Sequence, residues 1–320
     1  MSKEKVLIIG SCGQVGTELS ESLRKIYGNS EVISSDLKKP DNDFWEESPF
    51  EILDVLDKNN ISKIFSRYKP THVYHLAALL SATAEKYPKL GWQLNMDGLF
   101  NIFDAALEYN VKRLFWPSSI AVFGPSTPRI NTPQQCVIEP NTIYGITKFT
   151  GERYCEYYNK RYGLDVRSLR YPGLIGYKSA PGGGTTDYAV EIFHEAIKNK
   201  KYSCFLKSKT NLPMLYMPDA VKATLEITHA DSEKIKIRSS YNLAGFSFSP
   251  ALLSEKIKNH IPDFEISYNP DHRQTIAESW PESIDDTFAR QEWGWQNDYS
   301  LDDMVNDMIE NLSLKYSKSI

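Results

Sequence analysis

A short apolar run, Val6–Ile9, leads into three glycines spaced Gly10-Ser-Cys-Gly13-Gln-Val-Gly16. The next stretch places Val15, Leu19, Leu23 and Ile26 on one helical stripe. A brief, wholly apolar run suits a strand buried on both faces, and a glycine turn into a helix carries the chain to the next layer. The alternation continues, with strands expected at 31–36, 71–75, 113–117 and 165–170 and helices at 61–68, 99–109 and 144–162. Strands alternating with helices predict an α/β fold, a doubly wound parallel sheet covered on both faces.

Beyond Pro172 the pattern becomes irregular. Helices are expected at 188–199, 218–228, 250–259 and 301–312, between loops rich in Pro, Ser and Asn. The chain therefore divides into a doubly wound sheet domain, 1–172, and a smaller, irregular α/β lobe, 173–320, expected to close over it and over a substrate. A late strand of that lobe is free to return to the sheet. For 320 residues, 41% hydrophobic and 24% charged, this is an ordinary folded composition. A net charge of −4 leaves no basic excess for nucleic acid. No apolar run approaches the ~20 residues of a membrane span. The cysteines at 12, 136, 155 and 204 form no CxxC and read as reduced thiols, so a cytoplasmic protein is expected.

The glycine turn is matched to a pyrophosphate. One glycine permits the tight turn, another lets the backbone approach the phosphates, and the last lets helix and strand pack closely. The helix N-terminus adds free N–H groups and partial positive charge. Asp36 follows about 20 residues on, at the end of the second strand, where a carboxylate accepts from a ribose diol and repels a 2′-phosphate. NAD is thus expected over NADP, although Lys38 and Lys39 lie nearby. Leu53-Asp54-Val55-Leu56 is placed at the end of a third strand, with Asp54 accepting from the adenine amino group. Leu76-Ala77-Ala78 ends the fourth strand in residues that let backbone pass near the cofactor. Both stretches also suit plain core.

Tyr144-Gly-Ile-Thr-Lys148 puts a phenol and an ammonium on one helix face. A phenol of pKa ≈ 10 is a poor base at neutral pH. A nearby ammonium and the positive end of a helix starting around Pro140-Asn141-Thr142 are expected to favour its ionised form. Such a tyrosine can take an alcohol proton while hydride leaves the same carbon. About 25 residues earlier, as a strand ends, lie Ser118 and Ser119. Ser119 is the candidate to hold the substrate hydroxyl, with Ser118 as the alternative.

With these residues in place the chain resembles the extended short-chain dehydrogenase/reductase superfamily, in the branch that includes UDP-galactose 4-epimerase. The glycine pattern, Asp36, Asp54-Val55, Leu76-Ala77-Ala78, Asn95-Met-Asp-Gly98, Ser118-Ser119, Tyr144 with Lys148, and Arg170-Tyr-Pro-Gly173 match in order over residues 5–176. Phe123 departs from the tyrosine of many relatives. The resemblance implies a Rossmann domain that binds NAD, a Ser119–Tyr144–Lys148 catalytic group, and Lys148 bonded to the nicotinamide ribose. It also implies cofactor contacts from Gly10, Cys12, Gly13, Gln14, Val15, Gly16, Asp36, Leu37, Asp54, Val55, Leu76, Ala77, Ala78, Asn95, Tyr144, Lys148, Tyr171, Pro172 and Leu174.

The second half resembles the short-chain type of L-threonine 3-dehydrogenase through Leu79–Glu85, Pro181–Ala189, Ser279–Asp286 and Glu292-Trp-Gly-Trp295. The resemblance implies oxidation of the 3-hydroxyl of L-threonine to 2-amino-3-oxobutanoate. The glycine run into Thr185-Thr186-Asp187 looks like an anion-binding helix start, so the carboxylate is expected against Thr185 or Thr186, with Thr186 favoured. Ser81 is expected to add a hydroxyl contact, and Trp280 to close over the substrate methyl. The alternatives are a helix cap at 185–187, a loop role for Ser81 and a core role for Trp280. An NAD-dependent nucleotide-sugar epimerase or dehydratase shares the same first half, but the second shows no compact basic cluster to seat a diphosphate. A non-enzymatic NAD sensor would have no use for the tyrosine–lysine pair. The six histidines lack ligand spacing, and no metal is expected. Aromatic residues on more than one face of the helices at 99–109 and 144–162 point to a homodimer packed through that pair, as the resemblance implies.

Overall fold

The protein is described from a computed structural model covering residues 4–317. Its central sheet is built from β1 (Val6–Ile9), β2 (Val32–Asp36), β3 (Phe50–Ile52), β4 (His72–His75) and β5 (Arg113–Phe115). After β6 (Ser118–Ser119), β7 (Val166–Arg167) completes it, and the six strands lie parallel in the order β3-β2-β1-β4-β5-β7. Val6 stands level with Val32 on one side and His72 on the other. The order reverses between β1 and β4, and that switch point is where an α/β sheet of this kind opens a crevice at its carboxyl end.

Alternation along β1 divides the core. Val6 and Ile8 join Leu19 and Leu23 of α1 (Gln14–Tyr27) on one face. Leu7 and Ile9 face Phe65 of α2 (Lys58–Tyr68) and the next helices on the other. Those are α5 (Gly98–Glu108) and α6 (Ile143–Tyr162), preceded in the chain by the short α3 (Ser81–Lys86) and α4 (Pro88–Trp92). All four β1 side chains are buried, and removing one such aliphatic side chain to Ala costs roughly 2–5 kcal/mol. α2 begins three residues before its apolar stripe because Asp57 Oδ1 accepts from the N–H groups of Asn59 and Asn60, both at 3.0 Å. α6 is started by Thr142, whose Oγ1 accepts from Gly145 N at 3.0 Å, and is ended by Gly163 at φ 74°.

The single strand expected over 165–170 is interrupted at Ser168. β7 stays with β5, while β8 (Leu169–Tyr171) pairs with β6 and continues into β9 (Gly173–Ile175). The second half supplies α7 (Tyr188–Asn199), β10 (Lys201–Cys204), β11 (Leu212–Tyr216), α8 (Met217–His229), β12 (Tyr241–Asn242), β13 (Phe246–Phe248), α9 (Pro250–Lys258) and β14 (Glu265–Tyr268). β12 crosses back to pair with β8, and α8 shares the core of α1. β11 lies between β9 and β13, while β10 pairs with β14. Strands this short carry too few residues for a period of two to stand out in the sequence.

Candidate active site

The chain leaves β1 through Gly10 at φ 84°, where an added Cβ would lie 2.7 Å from the Ala77 nitrogen. A Cβ on Gly16 would lie 2.3 Å from the Gly10 carbonyl oxygen. The fold itself requires these two glycines. It does not require Gly13, whose added Cβ would have only the Gly10 oxygen near it, at an ordinary 3.5 Å. Gly13 caps α1 without a side-chain hydrogen bond, and the first turn carries no acid. An open glycine at a bare helix start suits the close approach of a pyrophosphate. Asp36 stands beside this turn, its Oδ2 accepting from Cys12 N at 2.9 Å and its Oδ1 from Leu37 N at 2.8 Å.

From the turn a cleft of about 530 Å³ runs between the two halves of the chain. Gly10, Cys12, Gly13, Gln14, Val15, Gly16, Leu76 and Ala78 line the cofactor side. Ser119, Tyr144, Lys148, Tyr171, Pro172 and Leu174 line its middle, and Ser81, Thr185, Thr186 and Trp280 its far end. Six expected contacts stand outside this lining. Asp36 reaches the loop through Cys12, while Leu37 is exposed. β3 stops at Ile52, so Asp54 lies in an exposed turn, accepting from Leu56 N at 2.9 Å, rather than at a strand end. Val55 is buried, and a Cβ on Gly98 would meet its Cγ2 at 2.7 Å. Ala77 abuts Gly10 through its backbone. Asn95 is occupied inside the protein: its Oδ1 accepts from Leu79 N at 2.8 Å and its Nδ2 donates to Thr147 Oγ1 at 3.1 Å.

The two candidate serines have different surroundings. Ser118 Oγ donates to the buried Glu152 Oε1 at 2.6 Å, which commits it to the interior. Ser119 Oγ accepts from Ala121 N at 3.2 Å, and its hydroxyl is the group that favours the ionised form of the Tyr144 phenol. Lys148 Nζ donates to the Pro117 carbonyl at 2.6 Å and lies 4.5 Å from the centre of the Trp116 ring. Burial pushes the Lys148 ammonium down to about 7, opposed by Cys155 and Glu152. It pushes the Tyr144 phenol up to about 12, opposed by the hydrogen bond from Ser119. Burial, which favours the neutral phenol, thus sets its direction in the protein alone, and Lys148 is not among the groups that lower it. His75, wholly buried behind Lys148, is pushed down to about 3 by burial and stays neutral. Among the described residues no group of His, Cys, Asp and Glu is arranged to hold a metal.

The glycine run before α7 differs from an open anion site. Asp187 turns back so that Oδ2 accepts from Gly183 N at 2.7 Å and Gly184 N at 2.9 Å. Those N–H groups are already satisfied by a carboxylate of the chain, and Asp187 makes no side-chain cap to the helix. The hydroxyl without a partner is that of Thr185, buried in the cleft wall. Thr186 packs its methyl toward Gly173, where an added Cβ would meet Thr186 Cγ2 at 2.8 Å. Ser81 is buried at the start of α3, and Trp280 is both core and cleft wall. Glu152 went unnoticed in the sequence, although a carboxylate four residues after Lys148 falls on the same helix face. Its partner Arg170 donates from Nε at 2.8 Å and Nη2 at 2.7 Å.

Residues 6–244 match the family described as NAD dependent epimerase/dehydratase. An uncharacterized epimerase/dehydratase of Staphylococcus aureus is 45% identical over 314 residues, 98% of each chain. Among solved structures, a GalE-like L-threonine dehydrogenase from Cupriavidus necator in its holo form is 49% identical, with a TM-score of 0.94 over 96% of this chain and 99% of that one. A monomeric L-threonine 3-dehydrogenase from a metagenome is 47% identical, with a TM-score of 0.94 over 97% and 99% of the two chains.

Proposed function

The chain belongs to the NAD-dependent epimerase/dehydratase family, whose cofactor is a nicotinamide dinucleotide, and within it we propose that this protein oxidises L-threonine at its 3-hydroxyl to 2-amino-3-oxobutanoate. The observation that carries this reading is the cleft wall facing Tyr144. Its described residues from the second half offer Ser179, Thr185, Thr186 and one carboxylate, Asp187, with no lysine or arginine. A nucleotide-sugar epimerase starts from the same oxidation but must also seat a diphosphate, and a wall whose one charged lining residue is an acid does not favour one. A zwitterionic amino acid fits that wall. Asp187 suits its ammonium, and the unpaired Thr185 hydroxyl suits its carboxylate. The solved relatives named as L-threonine dehydrogenases support the same choice.

NAD, when bound, would supply a hydride acceptor and a positive charge. Asp36, at the end of β2, favours NAD by repelling a 2′-phosphate. Lys148 would hold the nicotinamide ribose, and its charge, added to that of the ring, would offset the desolvation of Tyr144. Ser119 orients the 3-hydroxyl, Tyr144 takes its proton, and the C3 hydrogen leaves with its electron pair. The assembly proposed is a homodimer through α6, where Ile146 and Tyr157 lie exposed on one stripe, with Leu90 and Trp92 of the adjoining α4 exposed as well. The test of function is absorbance at 340 nm. NAD with L-threonine should give NADH, and NAD with UDP-galactose should give neither NADH nor UDP-glucose. Interconversion of the UDP-sugars without threonine oxidation would sink the reading.

A further inference from the structure

Ser118 lies between the two residues that touch the proposed machinery. Pro117 gives its carbonyl to Lys148 Nζ, and Ser119 lines the cleft with Tyr144 and favours its ionised form. Ser118 itself is held by Glu152 of α6, a carboxylate with no exposed surface. The same carboxylate takes two hydrogen bonds from Arg170 on β8, whose Nη1 continues to Asn242 Oδ1 at 3.0 Å on β12. Ser118 and Arg170 are also register partners across β6 and β8, two residues before Pro172 enters the cleft. A buried ion pair of this kind adds little stability over well-packed apolar residues, so fold stability alone does not account for it. Building on the dehydrogenase reading, we propose that Glu152 is a positioning residue of the oxidation: by gripping Ser118 and Arg170 it fixes at once the carbonyl that holds Lys148 and the hydroxyl beside Tyr144.

Its charge acts in the same direction. Tyr144, Glu152 and Cys155 face Lys148 from its own helix, and His75 faces it from β4. Burial keeps the Cys155 thiol and the His75 imidazole uncharged. Among these groups Glu152 is the anion that favours the ammonium, and Arg170 pairs with that anion from β8.

Two variants separate positioning from simple support. Ser118→Ala removes one hydrogen bond, and the double variant Glu152→Leu/Arg170→Met removes both charges together, so neither is left buried alone. Each is expected to lower kcat for L-threonine by about tenfold or more. The double variant should melt near the wild-type temperature. The pH above which NADH affinity weakens, followed by NADH fluorescence without substrate, should move down in the double variant and stay near wild type in Ser118→Ala. A kcat within about twofold of wild type in Ser118→Ala, or in the folded double variant, overturns the proposal. If the double variant does not fold, Ser118→Ala decides. If the wild type oxidises no L-threonine, the functional reading fails instead, and the NADH affinity profile of the double variant decides the role of Glu152.

Discussion

The Lys148 ammonium lies 5.5 Å from the centre of the Tyr144 ring, one helical turn away, and burial moves the two groups in opposite directions. Lysine comes down to about 7 and the phenol goes up to about 12. Burial thus favours the uncharged form of both groups. On the proposed mechanism, the positive charge of a bound nicotinamide would oppose that penalty on the phenol.

The lysine also leaves a signature in stability. Its folded value of about 7 lies below the ordinary 10.5, so between those values the unfolded chain binds more protons than the folded one. Stability from this group therefore rises with pH across that window, and the penalty is constant below it. Calorimetry should show wild type gaining on Lys148→Met between pH 7 and pH 10. A difference in Tm that does not change with pH would mean that the ammonium is not desolvated.

Tyr144→Phe should cut turnover by roughly 10²–10⁴-fold while leaving NADH binding nearly intact, because the phenol acts on the substrate proton. In the wild type, kcat should rise through mildly alkaline pH as the phenol ionises in the complex. Stopped-flow rates and NADH fluorescence titration together check this. Near-normal turnover in the variant would send the proton to another group.

Much of this site was legible in the sequence because it is local. The Gly10–Gly16 turn, Tyr144 with Lys148, and the Thr142 start of α6 are each fixed by spacing along one element. What escaped depends on strands and loops meeting across the chain. The commitment of Ser118 to Glu152 needs β6 to lie under α6, and the return of β12 to β8 needs a contact 72 residues long, that of Arg170 with Asn242. The Asp187 carboxylate folding onto Gly183 and Gly184 was readable in kind, since Asp bonds nearby backbone readily, but glycine and threonine at a helix start suggest an open anion site equally well. Asp54 was misplaced because Leu53 and Val55 are buried and mimic a strand, although pairing ends at Ile52.

On the proposed reading, cofactor choice follows from Asp36. Asp36→Ser should raise kcat/KM with NADP relative to NAD by about tenfold or more, since it removes the charge that opposes a 2′-phosphate. The same change frees Cys12 N, so a small loss in Tm should accompany it. A wild type that prefers NADP would contradict the assignment.

Assembly is tested on the outward stripe of α6. Phe103 and Tyr158 are core, their rings edge-on at 4.9 Å, whereas Ile146, Tyr157 and, at the helix end, Tyr162 are exposed. Sedimentation of the wild type should show a dimer, and Tyr157→Glu should shift it to monomer by burying a charge at the contact. A wild type that is monomeric at micromolar concentration, as its metagenomic relative is described, would remove the interface from the account.

The most direct test of the chemistry uses L-threonine carrying deuterium at C3, with NAD and catalytic amounts of the protein, followed by mass analysis of the nicotinamide product. If the C3 hydrogen leaves as hydride while Tyr144 takes the hydroxyl proton, each NADH formed carries one deuterium and none is lost to water. NADH without the label, or a threonine sample returned unchanged with no NADH at all, would contradict the account.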